Sequence, residues 1–184
     1  MTRVVPLVVI ACGLCACELS VNTGTGVSAR VGATSPAEPS PLPGWTLEGH
    51  AKQAYAAEVD TEVVRDGRAT IRLHPTAETG GEYATFMTSL DATPFRGRRA
   101  HGIVWIRTQG VTARGDVWMR AQAADSPPDG PGMAMSIVRL APNADFTRYE
   151  LYVDVPDDAV RLQLGLGLGG PGMLWMDSVR IEAQ

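Results

Sequence analysis

The side chains with the clearest chemical potential lie in a short pattern that occurs twice. The order apolar residue, Trp, apolar residue, Arg is found at Trp105 with Arg107 and again at Trp118 with Arg120. Side chains alternate between the two faces of a strand, so the Trp and Arg of each pair are expected on one face. Trp rings stack on the apolar faces of sugars and of other flat groups, and Arg donates hydrogen bonds in a fixed fork. If both strands lie in one sheet, the pattern predicts a shared binding face.

Further polar residues join this face by the same alternation. His101 is an even number of residues from Trp105, and Gln122 is an even number from Trp118, so both are expected on the same face as the Trp residues. Gln163 would approach this face from a later strand. On that later strand, Gly165 and Gly167 would leave room for a ligand. The predicted ligand-binding residues are therefore His101, Trp105, Arg107, Trp118, Arg120, Gln122 and Gln163.

Two kinds of partner fit such a face. A glycan or related surface polymer would stack on the Trp rings, whereas a protein of the cell envelope would use Trp and Arg as interface anchors. An open groove with exposed rings favours the glycan, and a flat apolar patch favours the protein. In a third alternative, the rings pack beneath a loop and the Arg residues form internal salt bridges.

The chain contains no convincing catalytic set, so we predict a protein that is not an enzyme. The three histidines form no His-x-His or His-Glu-x-x-His motif, and Gly-x-Ser-x-Gly is absent from the sequence. Asp157 and Asp158 follow a proline and are typical of a solvated turn. An enzyme would require that folding bring His101 close to a carboxylate within a cleft.

Charge and metal ligands limit the partners further. A net charge of -4 provides no general basic field, so nucleic acid is not an expected partner. No cofactor is expected, except that Asp177 could contribute to a structural calcium site. Calcium takes six to eight oxygen ligands, of which Asp177 would supply one carboxylate together with backbone oxygens.

The first 43 residues have the pattern of an export signal followed by a tether. Residues 1–16 combine a positive start with an apolar run of about a dozen residues, which is typical of a secretory signal peptide. The run ends in Leu-Cys-Ala-Cys, which resembles a bacterial lipoprotein box. This resemblance implies lipid on Cys17 and anchoring to the cell envelope, with the outer membrane as the expected destination. Residues 17–43 are rich in Pro, Ser and Thr and predict a disordered tether.

Residues 44–184 have the pattern of a single all-β domain. Short alternating segments are separated by turn signals such as Asp66-Gly67, at a spacing of roughly 10 residues, and no helical period is present. Leu162, Leu164, Leu166 and Leu168 predict a core face. Trp175 shares the parity of the apolar residues near the end of the chain and is expected in the core as well. An antiparallel β-sandwich follows from these features. All three cysteines lie in the first 17 residues, so no disulfide is expected in the domain.

Four passages resemble one fold family. They are Ser-Leu-Asp-Ala-Thr-Pro-Phe-Arg-Gly-Arg-Arg at 89–99, Phe-Thr-Arg-Tyr-Glu-Leu at 146–151, Val-Asp-Val-Pro-Asp-Asp-Ala at 153–159 and Leu-Trp-Met-Asp-Ser-Val-Arg-Ile at 174–181. In this order they resemble jelly-roll modules with the galactose-binding-like fold, a group that includes carbohydrate-binding modules. The resemblance implies a jelly roll and non-catalytic carbohydrate binding. Ser178 stands where the group has the second Asp of its closing pair.

Overall fold

The computed structural model describes residues 40–124 and 134–184 in full, and the backbone course of strands over 7–13, 16–22 and 28–29. The predicted signal peptide, the lipidation of Cys17 and most of the tether fall outside the fully described residues. Leu42 is 3% exposed and packs in the core, so the packed domain includes residues just before Gly44. No helix in the described part of the chain is long and apolar enough to cross a membrane.

The described elements are strands and two short 3₁₀ turns, at Lys52–Ala54 and Thr93–Phe95. The strands, in chain order, are β1 (Leu7–Gly13), β2 (Ala16–Asn22), β3 (Ser28–Ala29), β4 (Trp45–Glu48), β5 (Tyr55–Arg65), β6 (Arg68–Pro75), β7 (Tyr83–Asp91), β8 (Arg99–Gln109), β9 (Arg114–Ala123), β10 (Ala134–Arg139), β11 (Ala144–Asp154), β12 (Ala159–Gly169) and β13 (Met173–Ala183).

The strands form two antiparallel sheets. The five-stranded sheet has the order β10-β9-β12-β7-β4. The eight-stranded sheet has the order β11-β8-β13-β1-β2-β3, and β6 joins it by pairing with both β13 and β5. The predicted all-β antiparallel sandwich is confirmed.

The core lies between the two sheets. Leu162, Leu164, Leu166 and Leu168 of β12 are all at most 1% exposed, so the alternation read from the sequence places them correctly. They pack with inward residues of the facing sheet, such as Ile106. Each fully buried Leu contributes about 1.5–3 kcal/mol relative to an exposed one.

A bulge in β13 reverses the side-chain parity of that strand. Ser178 has a positive φ of 52°, and the register with β8 shifts between Asp177 and Arg180. Val179 therefore faces the core, whereas Trp175 and Asp177 face outward. Trp175 is buried as predicted, at 3% exposure, but it lies on the outer face of its sheet and outside the main core cluster, because an extra residue in a strand turns the preceding side chains to the other face.

The predicted turn at Asp66-Gly67 closes the β5–β6 hairpin. Both residues have positive φ, 50° and 73°, which is the requirement of the two-residue turns that match strand twist. The flanking residues Arg65 and Arg68 pair with each other across the hairpin. This geometry brings both guanidinium groups to the outer face of the eight-stranded sheet, where they meet Asp177.

Candidate functional site

The two Trp-Arg pairs do not share a surface. Trp105 and Arg107 lie on β8 of the eight-stranded sheet, whereas Trp118 and Arg120 lie on β9 of the five-stranded sheet. The chain crosses from one sheet to the other in the four residues between these strands. The outer faces of packed sheets point away from each other across a core about 10 Å thick. The prediction of one shared Trp/Arg face is therefore wrong, and the seven residues divide into two groups.

The outer face of the five-stranded sheet carries the larger group. Val117, Met119 and Ala121 of β9 belong to the core, so the alternating residues of that strand point outward. These outward residues are Arg114, Asp116, Trp118, Arg120 and Gln122. Gln163 of β12 pairs in register with Arg120 and faces the same way. Four predicted residues, Trp118, Arg120, Gln122 and Gln163, are thus brought together.

Glycines on β12 make room for side chains of β9. Gly165 pairs with Trp118, and a Cβ atom at Gly165 would lie 2.5 Å from Cζ2 of the indole. The carboxylate of Asp116 occupies the corresponding space over Gly167. The space that the sequence suggested for a ligand is therefore filled by the protein itself. The glycines fix the position of the Trp118 ring against the sheet.

An apolar row crosses this face. Met87 of β7, Trp118 of β9 and Ile137 of β10 lie in one line, joined through Gly165. Trp118 is only 6% exposed, whereas Ile137 is 48% exposed. Because β10 is the edge strand of its sheet, the exposed end of this apolar row lies at the sheet edge.

A polar row runs along one side of the apolar row. The Nε atom of Arg120 donates a 2.6 Å hydrogen bond to Oε1 of Gln163. The guanidinium carbon of Arg120 lies 5.0 Å from the centre of the Trp118 ring. On the neighbouring strands this row continues to Ser89 on β7 and ends at the apolar, 45% exposed Met135 on the edge strand β10. The Arg and Gln side chains are therefore held in fixed orientations beside the indole.

A second polar row runs along the other side. Asp116 has no exposed surface, and its Oδ2 accepts hydrogen bonds from Arg114 Nε at 2.6 Å and Arg139 Nη1 at 3.2 Å. The Arg114 guanidinium also lies 4.0 Å from the centre of the Tyr83 ring. Burial lowers the pKa of Arg114, but hydrogen bonds with Asp116 and Tyr83 outweigh that effect and raise the pKa above its ordinary value.

The outer face of the eight-stranded sheet has a different character. Arg65 of the hairpin lies 3.9 Å above the ring of Trp105 and forms a 2.8 Å ion pair with Asp177. Arg107 lies 5.4 Å from the ring of Trp175. The rings of this face are thus engaged by the protein's own guanidinium groups. This matches the alternative interpretation in which Trp and Arg serve internal packing.

Trp175 is held by a buried carboxylate. Its Nε1 donates a 2.8 Å hydrogen bond to Oδ2 of Asp60, while Oδ1 accepts from the backbone N–H groups of Glu62 and Val63. Burial raises the pKa of Asp60, but the hydrogen bonds from Val63, Trp175 and Glu62 outweigh it, and the pKa lies below the ordinary value of 3.8. Asp60 therefore links strand β5 of the β5–β6 hairpin to Trp175 on β13.

His101 also meets a carboxylate on this face. Its Nε2 lies 2.7 Å from Oε2 of Glu150, and Gln184 donates to its Nδ1 at 3.2 Å. The Tyr152 ring stacks on the imidazole at 4.4 Å and donates a hydrogen bond to Glu150. Hydrogen bonds from Tyr152 and His101 lower the pKa of Glu150. His101 is only 7% exposed, whereas Tyr152 is 40% exposed, so the phenol covers the imidazole from solvent.

One carboxylate oxygen of Asp177 is engaged by two arginine side chains. Its Oδ2 accepts hydrogen bonds from Arg65 at 2.8 Å and from Arg68 at 3.4 Å. A calcium ion at this carboxylate would have to displace both guanidinium groups. Among residues 40–124 and 134–184, no three His, Cys, Asp or Glu side chains are grouped so that they could hold a metal ion.

The structure adds residues that the sequence reasoning missed. Arg114 and Asp116 have the same parity as Trp118, so extending the alternation by four residues would have included them. Met87 and Ile137 reach the same face only through strand pairing. Nothing in their local sequence indicates these partners.

Sequence comparison gives one curated relative. The uncharacterized HTH-type transcriptional regulator YbfP of Bacillus subtilis (strain 168) is 32% identical over 143 residues, which cover 77% of this chain. The chain spans about half the length of that relative, 48%. No known protein-family profile matches the chain.

Comparison of structures shows the fold. The CBM22-1–GH10 modules of Clostridium thermocellum xylanase 10B, complexed with xylohexaose, match with a TM-score of 0.56 and 13% identity over 77% of this chain and 26% of theirs. TmCBM61 in complex with β-1,4-galactotriose matches with a TM-score of 0.52 and 9% identity. That match covers 85% of this chain and all of TmCBM61. A cyclase from Fischerella sp. TAU matches with a TM-score of 0.56 and 15% identity. That match covers 79% of this chain and 86% of the cyclase chain. The jelly-roll prediction is confirmed.

Proposed function

We propose that the domain is a non-catalytic carbohydrate-binding module that uses the outer face of its five-stranded sheet. The observation that supports this most is the arrangement of one apolar row, Met87 with Trp118 and Ile137, between two hydrogen-bonding rows. A pyranose ring has apolar C–H faces and a rim of hydroxyl groups. A surface with an apolar centre and polar flanks matches both parts of the sugar.

The polar rows are prepared for hydroxyl groups. The bond between Arg120 and Gln163 holds a cluster of N–H donors and an amide on one flank, and Asp116 holds Arg139 on the other. Groups that are already oriented lose little conformational freedom when a ligand binds. Within the predicted set, we assign ligand contact to Trp118, Arg120, Gln122 and Gln163. His101, Trp105 and Arg107 are assigned to packing on the opposite sheet.

Several structural neighbours are carbohydrate-binding modules, which is compatible with non-catalytic binding, and the Fischerella cyclase shares the same fold. Of these carbohydrate-binding modules, TmCBM61 was solved in complex with β-1,4-galactotriose. A helix-turn-helix unit consists of helices, and no α-helix is present in the described part of this chain. We propose that the region shared with the Bacillus regulator lies outside the helix-turn-helix unit for which that protein is named.

We further propose that the protein is exported and held at the cell envelope, in the outer membrane, by lipid on Cys17. The support is the apolar run that ends in Leu-Cys-Ala-Cys and the Pro-rich segment that follows it. Radiolabelled palmitate should be incorporated by the wild type and not by Cys17→Ala. Equal labelling of the two proteins would refute the anchor.

Ile137→Asp tests the binding face with little risk to the fold, because the side chain is 48% exposed. Val64→Asp is a matched control, since Val64 is a β-branched residue that is 47% exposed on the opposite sheet. We expect the full-length protein to bind members of a glycan array. Its affinity should fall at least about tenfold in Ile137→Asp and remain unchanged in Val64→Asp, with equal thermal stability.

Two outcomes would refute this proposal. Equal affinities in both variants would mean that another face binds the glycan. No binding to any glycan would remove the carbohydrate function and favour the second candidate, docking of an envelope protein. The exposure of Met135 and Ile137, 45% and 48% on an edge strand, supports that second candidate.

A further inference from the structure

The second polar row, which contains Asp116, has more positively than negatively charged groups. Two guanidinium groups, those of Arg114 and Arg139, share the single carboxylate of Asp116. Asp116 has no exposed surface, and its two oxygens accept hydrogen bonds from both of these guanidinium groups. The flank therefore carries one net positive charge, on a chain whose net charge is -4.

The excess charge is accessible at Arg139. Its side chain is 71% exposed, compared with 32% for Arg114. Among the described residues, Asp116 is the one acidic partner of Arg139, and the bond uses a single N–H of its Nη1. A guanidinium group has five N–H donors in a planar fork, so most of them are left to face solvent. Asp116 holds this fork in place without neutralising both cations.

The distance between Arg139 and the apolar row is about the width of one sugar ring. Arg139 pairs with Asp116, and two residues earlier on the same strand Ile137 pairs with Trp118. Alternate residues on one face of a strand lie about 7 Å apart. A substituent of a pyranose ring that rests on Ile137, the exposed end of the apolar row, would therefore extend to the guanidinium of Arg139.

We infer that the saccharide recognised by this face bears an acidic group, a carboxylate or a sulfate ester, that pairs with Arg139. This inference rests on the proposed carbohydrate-binding function. A planar guanidinium forms two parallel hydrogen bonds with a carboxylate or sulfate, which a neutral hydroxyl cannot match. The buried Asp116 acts as a positioning residue that orients Arg139 and Arg114.

The experiment compares four hexasaccharide probes on the full-length protein. They are galacturonate hexamer, the same hexamer with methyl-esterified carboxylates, a sulfated galactan hexamer and a neutral galactan hexamer. Affinities are measured by calorimetry for the wild type, for Arg139→Gln and for Ile137→Asp. Arg180→Gln is the control, because Arg180 is also an exposed arginine with one acidic partner, Glu182, on the opposite sheet.

We expect at least one acidic probe to bind about tenfold or more tightly than its uncharged counterpart, as for a hydrogen bond to a charged group. That preference should disappear in Arg139→Gln, remain in Arg180→Gln and weaken with added salt. Binding of the galacturonate alone assigns the group to a carboxylate, and binding of the sulfated probe alone assigns it to a sulfate.

Failure of the inference can be distinguished from failure of the proposed function. Equal binding of charged and uncharged probes, lost in Ile137→Asp, would overturn the acidic preference and keep the carbohydrate site. An acidic preference that survives in Arg139→Gln would also overturn the inference. If none of the probes binds, binding of an uncharged glycan on the array would overturn the acidic preference alone, and no binding on the array would overturn both proposals.

Discussion

Replacement of Asp60 by Ala should destabilise the domain strongly, although the residue lies outside the core. Three donors would lose their acceptor, namely the Trp175 indole at 2.8 Å and the backbone N–H groups of Glu62 and Val63 at 2.9 Å. Each such hydrogen bond contributes about 0.5–1.5 kcal/mol net, so the total is roughly 3 kcal/mol. For a domain of this size, that loss corresponds to a decrease in Tm of about 9 °C.

The assay is urea unfolding followed by tryptophan fluorescence, to which Trp175 contributes together with the three other tryptophans of the chain. Asp154→Ala is the control, because the Asp154 side chain is 83% exposed and pairs with Arg99 at the surface. Such a pair contributes about 0–1 kcal/mol. If the two variants differ by less than about 0.5 kcal/mol, Asp60 does not hold Trp175 and the hairpin in the manner described.

The Asp60 carboxylate should also make the stability of the domain depend on pH. The pKa of Asp60 in the folded protein lies below its ordinary value of 3.8, so the unfolded chain binds a proton more readily. The stabilisation is therefore complete above the unfolded pKa and is lost as the pH falls through the lower folded pKa. Unfolding free energy measured between about pH 4 and pH 2 should decrease less steeply in Asp60→Asn than in the wild type. Parallel pH curves would contradict this assignment.

Two further predictions concern the site face and the metal. In Gly165→Ala, the new Cβ would lie 2.5 Å from Cζ2 of Trp118, so the indole must move; we expect a loss of about 1–3 kcal/mol in urea unfolding and weaker glycan binding. A stability equal to the wild type would mean that the indole is not held against Gly165. In Asp177→Ala, Arg65 and Arg68 lose a carboxylate that is only 1% exposed, and we expect a loss of about 2–3 kcal/mol, whereas EDTA should leave the wild-type Tm unchanged. A decrease in Tm on EDTA treatment would instead indicate a bound metal ion.

The sequence alone determined the fold class and much of the core. The alternation in 162–168 reflects a local property, the period of two along a strand, and the structure places all four Leu side chains inside. The Asp66-Gly67 turn is local as well, because it depends on the backbone freedom of two adjacent residues. The parity that puts Trp118 and Arg120 on one face of their strand is likewise a property of neighbouring residues.

Only the tertiary structure decided which faces meet. The separation of Trp105 from Trp118 depends on the sheet that each strand joins, and local alternation is the same for either choice. The orientation of Trp175 depends on one bulge at Ser178, which has no marker in the local pattern. The apolar row of Met87, Trp118 and Ile137 exists because three strands that are distant in sequence pair in one register. Pairing and register are set by the burial of whole faces, so they arise from the packed sandwich and cannot be derived from any one segment.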